Sequence, residues 1–397
     1  MEQNRIKWVD GLRGMASLCI VLHHFILGYY PAAYEGATAM KHLPGTIEAD
    51  FSQSPLAFFV LGDFWVSVFC LVSGFVIASQ VFAMKDGKQF SKSVIKRYPR
   101  LMIPVFALSA IVYVMLHMGL FHNVVASHMT GSAWLVQYYQ YETTLKDLFF
   151  SSFIDTWIVG METMYSNAFW MMAELFTGSF MAYILAAMGK HANKRILYVY
   201  IGIALAYLSV NSRLTNFAFG VLLAYVALHY GEKIRQKKSL AITLGVIFVA
   251  IAFIFGAYPH VYAPTNAYRL LNCLPARLNP AYFYHMLAAV FLMMGIYLCK
   301  PVEWLFSTRP FCFLGKISYA TYVVHIPVLF SLTAWLLIKF TNLTQDYNRS
   351  AALALVISLV AIISFSWVFW RLIEKPSSAW ISKVADKLTE DLTATKE

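Results

Sequence analysis

Long apolar runs separated by short polar segments dominate the chain. A run of about 20 apolar residues can cross a hydrocarbon core as a helix. Ten runs qualify: Gly14–Tyr30, Leu56–Gln80, Leu101–Phe121, Ser166–Gly189, Ile196–Val210, Leu214–Tyr230, Leu240–Ala257, Ala281–Leu298, Ile317–Leu337 and Ala351–Ile373. They predict an all-α fold, a polytopic membrane helix bundle of about ten transmembrane helices. The fifth run is short, and its boundary with the sixth passes through Asn211, Ser212 and Arg213. The stretch Leu145–Gly160 is apolar but broken by Lys146, Asp147 and Asp155, which predicts an interfacial or re-entrant piece. Residues 1–380 read as one transmembrane domain and 381–397 as a short cytoplasmic tail of mixed charge without chemistry of its own.

Charge placement orients the bundle. With a cytoplasmic N-terminus and ten crossings, 24 of the 31 Lys and Arg fall on cytoplasmic segments and span ends. The opposite side receives Lys41, Lys146, Arg213, Arg269, Arg277, Lys339 and Arg349. Basic residues favour the cytoplasmic side of a membrane, so both termini are expected there. Composition agrees: 59% hydrophobic and 13% charged residues, against about 45–50% and 25% in soluble domains, with a mean hydropathy of +0.60. This excludes an ordinary soluble enzyme, a disordered chain and a secreted disulfide scaffold. The formal charge of +11 belongs to membrane topology, and no nucleic-acid partner is implied. The five cysteines are scattered, with neither metal-ligand spacing nor a disulfide framework. Asp10, His23 and His24 argue against a cleaved signal peptide at the first span.

Ionisable groups inside a span are costly and point to function by default. His24 follows Arg13 by eleven residues, which returns close to the same helix face and separates the two by about 16 Å along the axis. Arg13 then sits at the cytoplasmic rim and His24 near mid-membrane, while His23 points elsewhere. Both histidines could equally bond to neighbouring helices. Arg97 and Arg100, three apart at the entry to the third span, can act on one anionic group if that segment is helical, and Pro99 suits a first helical turn. A stop-transfer signal touching lipid headgroups is the plainer alternative. Asp63, Glu174, His285 and His325 are further intramembrane groups, with structural pairing favoured for Asp63 and His285.

The segment Asp10-Gly11-Leu12-Arg13-Gly14, with His24 beyond, resembles the first helix of the acyltransferase-3 family of integral membrane enzymes. Phe64 to Ile77, containing Ser73-Gly74-Phe75, resembles the family's second helix, and Lys96 to Pro104 its Arg-rich entry to the third. Leu314-Gly315-Lys316-Ile317-Ser318-Tyr319, running on to Tyr322, His325 and Pro327, and Ile373-Glu374-Lys375-Pro376 resemble its two late motifs. One departure concerns Glu174: the family commonly has Trp five residues before its mid-chain acidic residue, whereas Trp170 lies four before Glu174. The resemblance implies transfer of an acyl group, usually acetyl, from acyl-CoA to a hydroxyl of a carbohydrate, lipid-linked sugar or similar acceptor. It implies His24 as general base with Glu174 as a second catalytic candidate. Arg13, Arg97, Arg100 and Lys316 would hold the phosphates of acetyl-CoA, a co-substrate and not a resident cofactor. Asp10, Ser73, Tyr319, His325 and Glu374 are the other candidates. A plasma membrane or bacterial inner membrane fits, with the lipid bilayer and the acceptor as partners. The outer segments Pro31–Pro55, His122–Thr144 and Tyr258–Pro280 would shape acceptor access. A proton-coupled exporter is the competing reading, and a membrane scaffold would leave the buried ionisable groups unexplained.

Overall fold

A computed structural model describes the chain over residues 6–158, 164–260 and 264–394. Arg5 and Lys396 of the basic set, residues 159–160 of the expected interfacial stretch and residues 261–263 of the third outer segment lie outside the described residues. Helices dominate the described residues: α1 (Lys7–Tyr29), α2 (Gly62–Ala83), α3 (Gly87–Ile95), α4 (Arg97–His117), α5 (Trp170–Lys190), α6 (Ile196–Leu208), α7 (Leu214–Gln236), α8 (Lys238–Gly256), α9 (Pro280–Leu298), α10 (Arg309–Val328), α11 (Ala334–Thr344), α12 (Tyr347–Phe369) and α13 (Lys375–Ala394). Among them, nine helical stretches are long and apolar enough to cross a membrane, and the 13-residue α6 is a tenth, shorter one.

Side-chain bonds between segments show which helix ends lie together. At one end, Lys190 in the last turn of α5 donates to Met84 O after α2, Arg235 of α7 pairs with Glu303, and Lys92 of α3 pairs with Asp386 of α13. This is the basic end. At the other, Asn211 Nδ2 donates to Arg277 O (3.1 Å), Arg213 pairs with Asp63 (2.6 Å), and Asn348 Nδ2 donates to His42 O (2.9 Å). Tyr30 donates to Asn348 there (3.1 Å). Because α5 ends at the basic end and α7 begins at the opposite one, α6 must run between them. At 1.5 Å per residue it covers about 20 Å, and the turn through Ser209–Ser212 completes the passage.

Helices α1 and α10 run parallel, as the first and ninth of ten alternating spans must. They meet at Asp10 and Gly315, at His24 and His325, and at Tyr29, whose hydroxyl donates to Leu329 O (2.6 Å). A Cβ on Gly14 would overlap the backbone at Gly315, and one on Gly315 would overlap Asp10 O. The two glycines of the early and late motifs thus permit this close crossing. Gly74 of the second motif does the same against Phe217 of α7. Large apolar side chains such as Val199, Leu205, Val246, Ile254, Val356 and Val360 remain exposed on the outer faces, where lipid tails would cover them.

Several helices outrun the expected spans. α1 starts seven residues before Gly14, α10 eight before Ile317, and α12 is extended by a π-helical turn (Trp370–Glu374) into α13. The helix therefore continues through the 380/381 boundary, with Ile381, Ala385 and Thr389 buried. Apolar runs mark the hydrocarbon thickness, whereas polar residues flanking it can stay helical beyond. The stretch after Thr144 forms Leu145–Phe150 and a π-helical turn over Ser151–Asp155, packed along α4.

Candidate functional site

Three polar groups are assembled inside the bundle. At the basic end, Arg97 opens α4 with Pro99 in its first turn, as its sequence suits. Its Nε donates to Ser179 Oγ of α5 (2.8 Å), and it lies within electrostatic range of Arg100, Arg13 and Tyr319. Arg13 is half-buried, its guanidinium 5.7 Å from the Phe69 ring centre. Tyr319 of α10 donates to Leu101 O (2.7 Å) and is in electrostatic range of Glu374 as well as Arg97 and Arg100. Lys316 Nζ sits 4.0 Å over the Trp370 ring. Arg13, Arg97, Arg100, Lys316, Tyr319 and Glu374, spread over 361 sequence positions, thus share one neighbourhood. Asp10 lies at its edge, where α1 and α10 cross.

Further along α1 stands a histidine pair. His325 Nδ1 faces Tyr322 O (2.8 Å) and Thr321 O (3.2 Å), and His24 Nδ1 faces Ile20 O (3.0 Å). His325 Nε2 is 3.0 Å from His24 Nδ1. Carbonyl oxygens only accept, so His325 Nδ1 carries hydrogen, and the Nε2 of a neutral His325 is an acceptor. His24 Nδ1 is then the donor to it, leaving the lone pair on His24 Nε2, which makes no hydrogen bond among the described residues. Trp134 stacks on the His24 ring (5.3 Å between centroids). His24 lies six residues, about 9 Å, beyond the midpoint of α1 at Leu18, and two residues past the middle of its apolar run Gly14–Tyr30. Beside it, His23 does point elsewhere, its Nδ1 donating to Val60 O (3.0 Å).

The third group lies at the opposite end. Asp63 pairs with Arg213 (2.6 Å) and with His260 (3.2 Å). The Arg213 guanidinium is held between Trp170 (4.4 Å) and Tyr282 (5.1 Å). His285 Nε2 faces Tyr258 O (2.9 Å). Asp63 and His285 thus each have a partner within the protein, the kind of contact their sequence context favours. Glu174 is half-buried and belongs here, in electrostatic range of Arg213 and Cys70, and is not hydrogen-bonded to His24. Ser73 turns its hydroxyl back to Phe69 O of its own helix (2.8 Å) and joins none of the three groups by a hydrogen bond.

Sequence reasoning missed Arg213, His260 and Trp134. Only Arg213 left a trace, as a charge breaking the apolar boundary between two spans.

A family model described as an acyltransferase domain, that of the acyltransferase-3 family, matches residues 6–371. Among curated proteins, the chain is similar to the Regulator of hypoxia-inducible factor 1 of Caenorhabditis elegans, at 25% identity over 196 residues. That alignment takes in 48% of this chain and 36% of the relative's length. No solved structure gave a match. With a family match over nearly the whole chain and a bundle of membrane-length helices beneath it, this integral membrane protein belongs to the acyltransferase-3 family of acyltransferases.

Proposed function

We propose that the protein transfers an acyl group, acetyl foremost, from acyl-CoA to a hydroxyl of a glycan, lipid-linked sugar or related small acceptor, with the basic end facing the cytoplasm of a plasma membrane or bacterial inner membrane. One observation carries this reading: Arg13 of the arginine cluster and His24 of the histidine pair lie on the same helix, α1, about 16 Å apart along its axis. Arg13, Arg97 and Arg100 suit the phosphates of the donor, since guanidinium–phosphate contacts are charge-assisted and directional. The pantetheine arm of the donor is long enough to carry its thioester from that cluster toward His24.

His24 Nε2 would then take the proton of the acceptor hydroxyl as its oxygen attacks the thioester carbonyl. A C–O bond forms, the C–S bond breaks, and the departing thiolate recovers the proton from the His24 imidazolium. Positioned bases of this kind contribute about 10²–10⁴-fold to rate. His325 would fix the tautomer, and Trp134 the plane of the ring.

The test is turnover and binding of radiolabelled acetyl-CoA by the protein in lipid nanodiscs, with His24→Ala and Arg97→Ala alongside wild type. The expected result is loss of turnover with retained binding for His24→Ala, and weakened binding for Arg97→Ala. A well-folded His24→Ala protein with full transfer activity would overturn the role of the base. Wild-type protein that binds no acyl-CoA would overturn the donor and favour transport.

A further inference from the structure

A cavity of about 330 Å³ opens at the basic end, between the start of α4 and α13. Lys96 and Arg100 line it at the start of α4, and Lys375, Ser378 and Ser382 from α13. Trp370 and Glu374, in the π-helical turn, complete its wall. Three cations against one carboxylate leave the space net positive. Ser382 Oγ is buried there with no hydrogen-bond partner among the described residues, and an unmet buried hydroxyl is costly. α13 is fastened over the cavity: Asp386 pairs with Lys92 of α3, and Ile381, Ala385 and Thr389 bury one face of the helix. The family match ends at residue 371, so α13 lies outside the region the family model covers.

We propose that α13 is the outer wall of the donor site, with Lys375 and Ser382 joining Lys96 and Arg100 to hold the 3′-phosphate on the adenosine end of acyl-CoA. The proposal rests on the acyl-CoA reading above. In that donor the thioester and the 3′-phosphate lie at opposite ends of an extended molecule. A thioester drawn past Arg13 toward His24 leaves the 3′-phosphate outermost, beyond Arg97, where this cavity lies. Its volume is at the lower end of the range for small-molecule pockets, about 300–1,000 Å³, so it suits one end of the donor and not the whole. A phosphate monoester offers acceptor oxygens only, matching lysine, arginine and hydroxyl donors. The Glu374 carboxylate, an acceptor, suits a ribose hydroxyl or the adenine amine instead.

The experiment measures binding of acetyl-CoA and 3′-dephospho-acetyl-CoA to the full chain in phosphatidylcholine nanodiscs, for wild type, Lys375→Ala and Ser382→Ala. Wild type should bind the dephospho form at least about tenfold more weakly, as loss of charge-assisted bonds implies. Lys375→Ala should weaken acetyl-CoA by about tenfold and leave the dephospho form nearly unchanged, closing the gap; Ser382→Ala, the milder substitution, should narrow it. A gap undiminished in both variants would overturn the assignment, as would wild type binding the two forms equally. Wild type that binds neither form would instead overturn the acyl-CoA reading itself. Phosphatidylglycerol added to the discs should leave the gap intact, and its abolition by that lipid would assign the cavity to a headgroup.

Discussion

Two backbone carbonyls, those of Ile20 and Tyr322, determine which ring nitrogens of His24 and His325 carry hydrogen, and so leave His24 Nε2 as the bare one. This gives His325 a positioning role that differs from the plain packing of a buried side chain. His325→Ala should lower kcat by about 10–100-fold, the value of one to two good hydrogen bonds, with little change in KM for acetyl-CoA. His325→Gln, whose amide oxygen can accept from His24 Nδ1, should recover part of the loss; equal activity of Ala and Gln variants would exclude the tautomer argument. Helical spacing made the Arg13–His24 alignment legible, because both residues lie on one continuous helix. The partner of Asp63 was not legible: Arg213 is 150 positions away, and hydropathy records only what is local.

At the scale of elements, the crossing of α1 and α10 has the least tolerance. The backbones touch at Gly14 and Gly315, and the same crossing holds His24 against His325 three turns further on. A methyl group at Gly315 meets backbone, which cannot swing aside as a side chain can. Gly315→Ala should therefore cost at the upper end of about 1–3 kcal/mol, lower the unfolding midpoint in nanodiscs and reduce turnover by spreading the histidine pair. Gly87→Ala, where a Cβ meets nothing within 4 Å, is the control and should do neither. Nearly all spans were evident as apolar runs, yet their ends were not. Lys7, Asp10 and Arg13, like Arg309 and Lys316, are polar residues that prolong a helix past the hydrocarbon, and no apolar count includes them. The π-helical turns at Leu329–Thr333 and Trp370–Glu374 likewise leave no mark in a hydropathy pattern, since they change pitch and not polarity.

For the whole molecule, alternating passage of ten helices places the segment between α8 and α9 on the side away from the basic end, together with exposed Cys273. Cys312, half-buried in the first turn of α10, is at the basic end, and Cys19, Cys70 and Cys299 are buried. In intact cells a membrane-impermeant maleimide should label Cys273 and spare Cys312; the reverse would turn the molecule over and put the arginine cluster outside. The gathering of basic residues at one end was readable in the sequence because such residues are sorted by the membrane itself, whereas the three polar groups depend on tertiary packing that no span-by-span count contains. The π-helical turn at Trp370–Glu374 has one more consequence at this scale. It acts as a phase shifter between α12, whose exposed apolar side chains need lipid, and α13, whose polar residues line the cavity. Removing a single residue there, Leu372 for instance, would advance everything downstream by about 100° of helical rotation. Lys375 and Ser382 would swing off the cavity together while the spans stayed seated. The angular setting of a whole helix, and with it the reach of the outer wall, thus depends on one five-residue turn as well as on the Lys92–Asp386 pair and the buried face of α13.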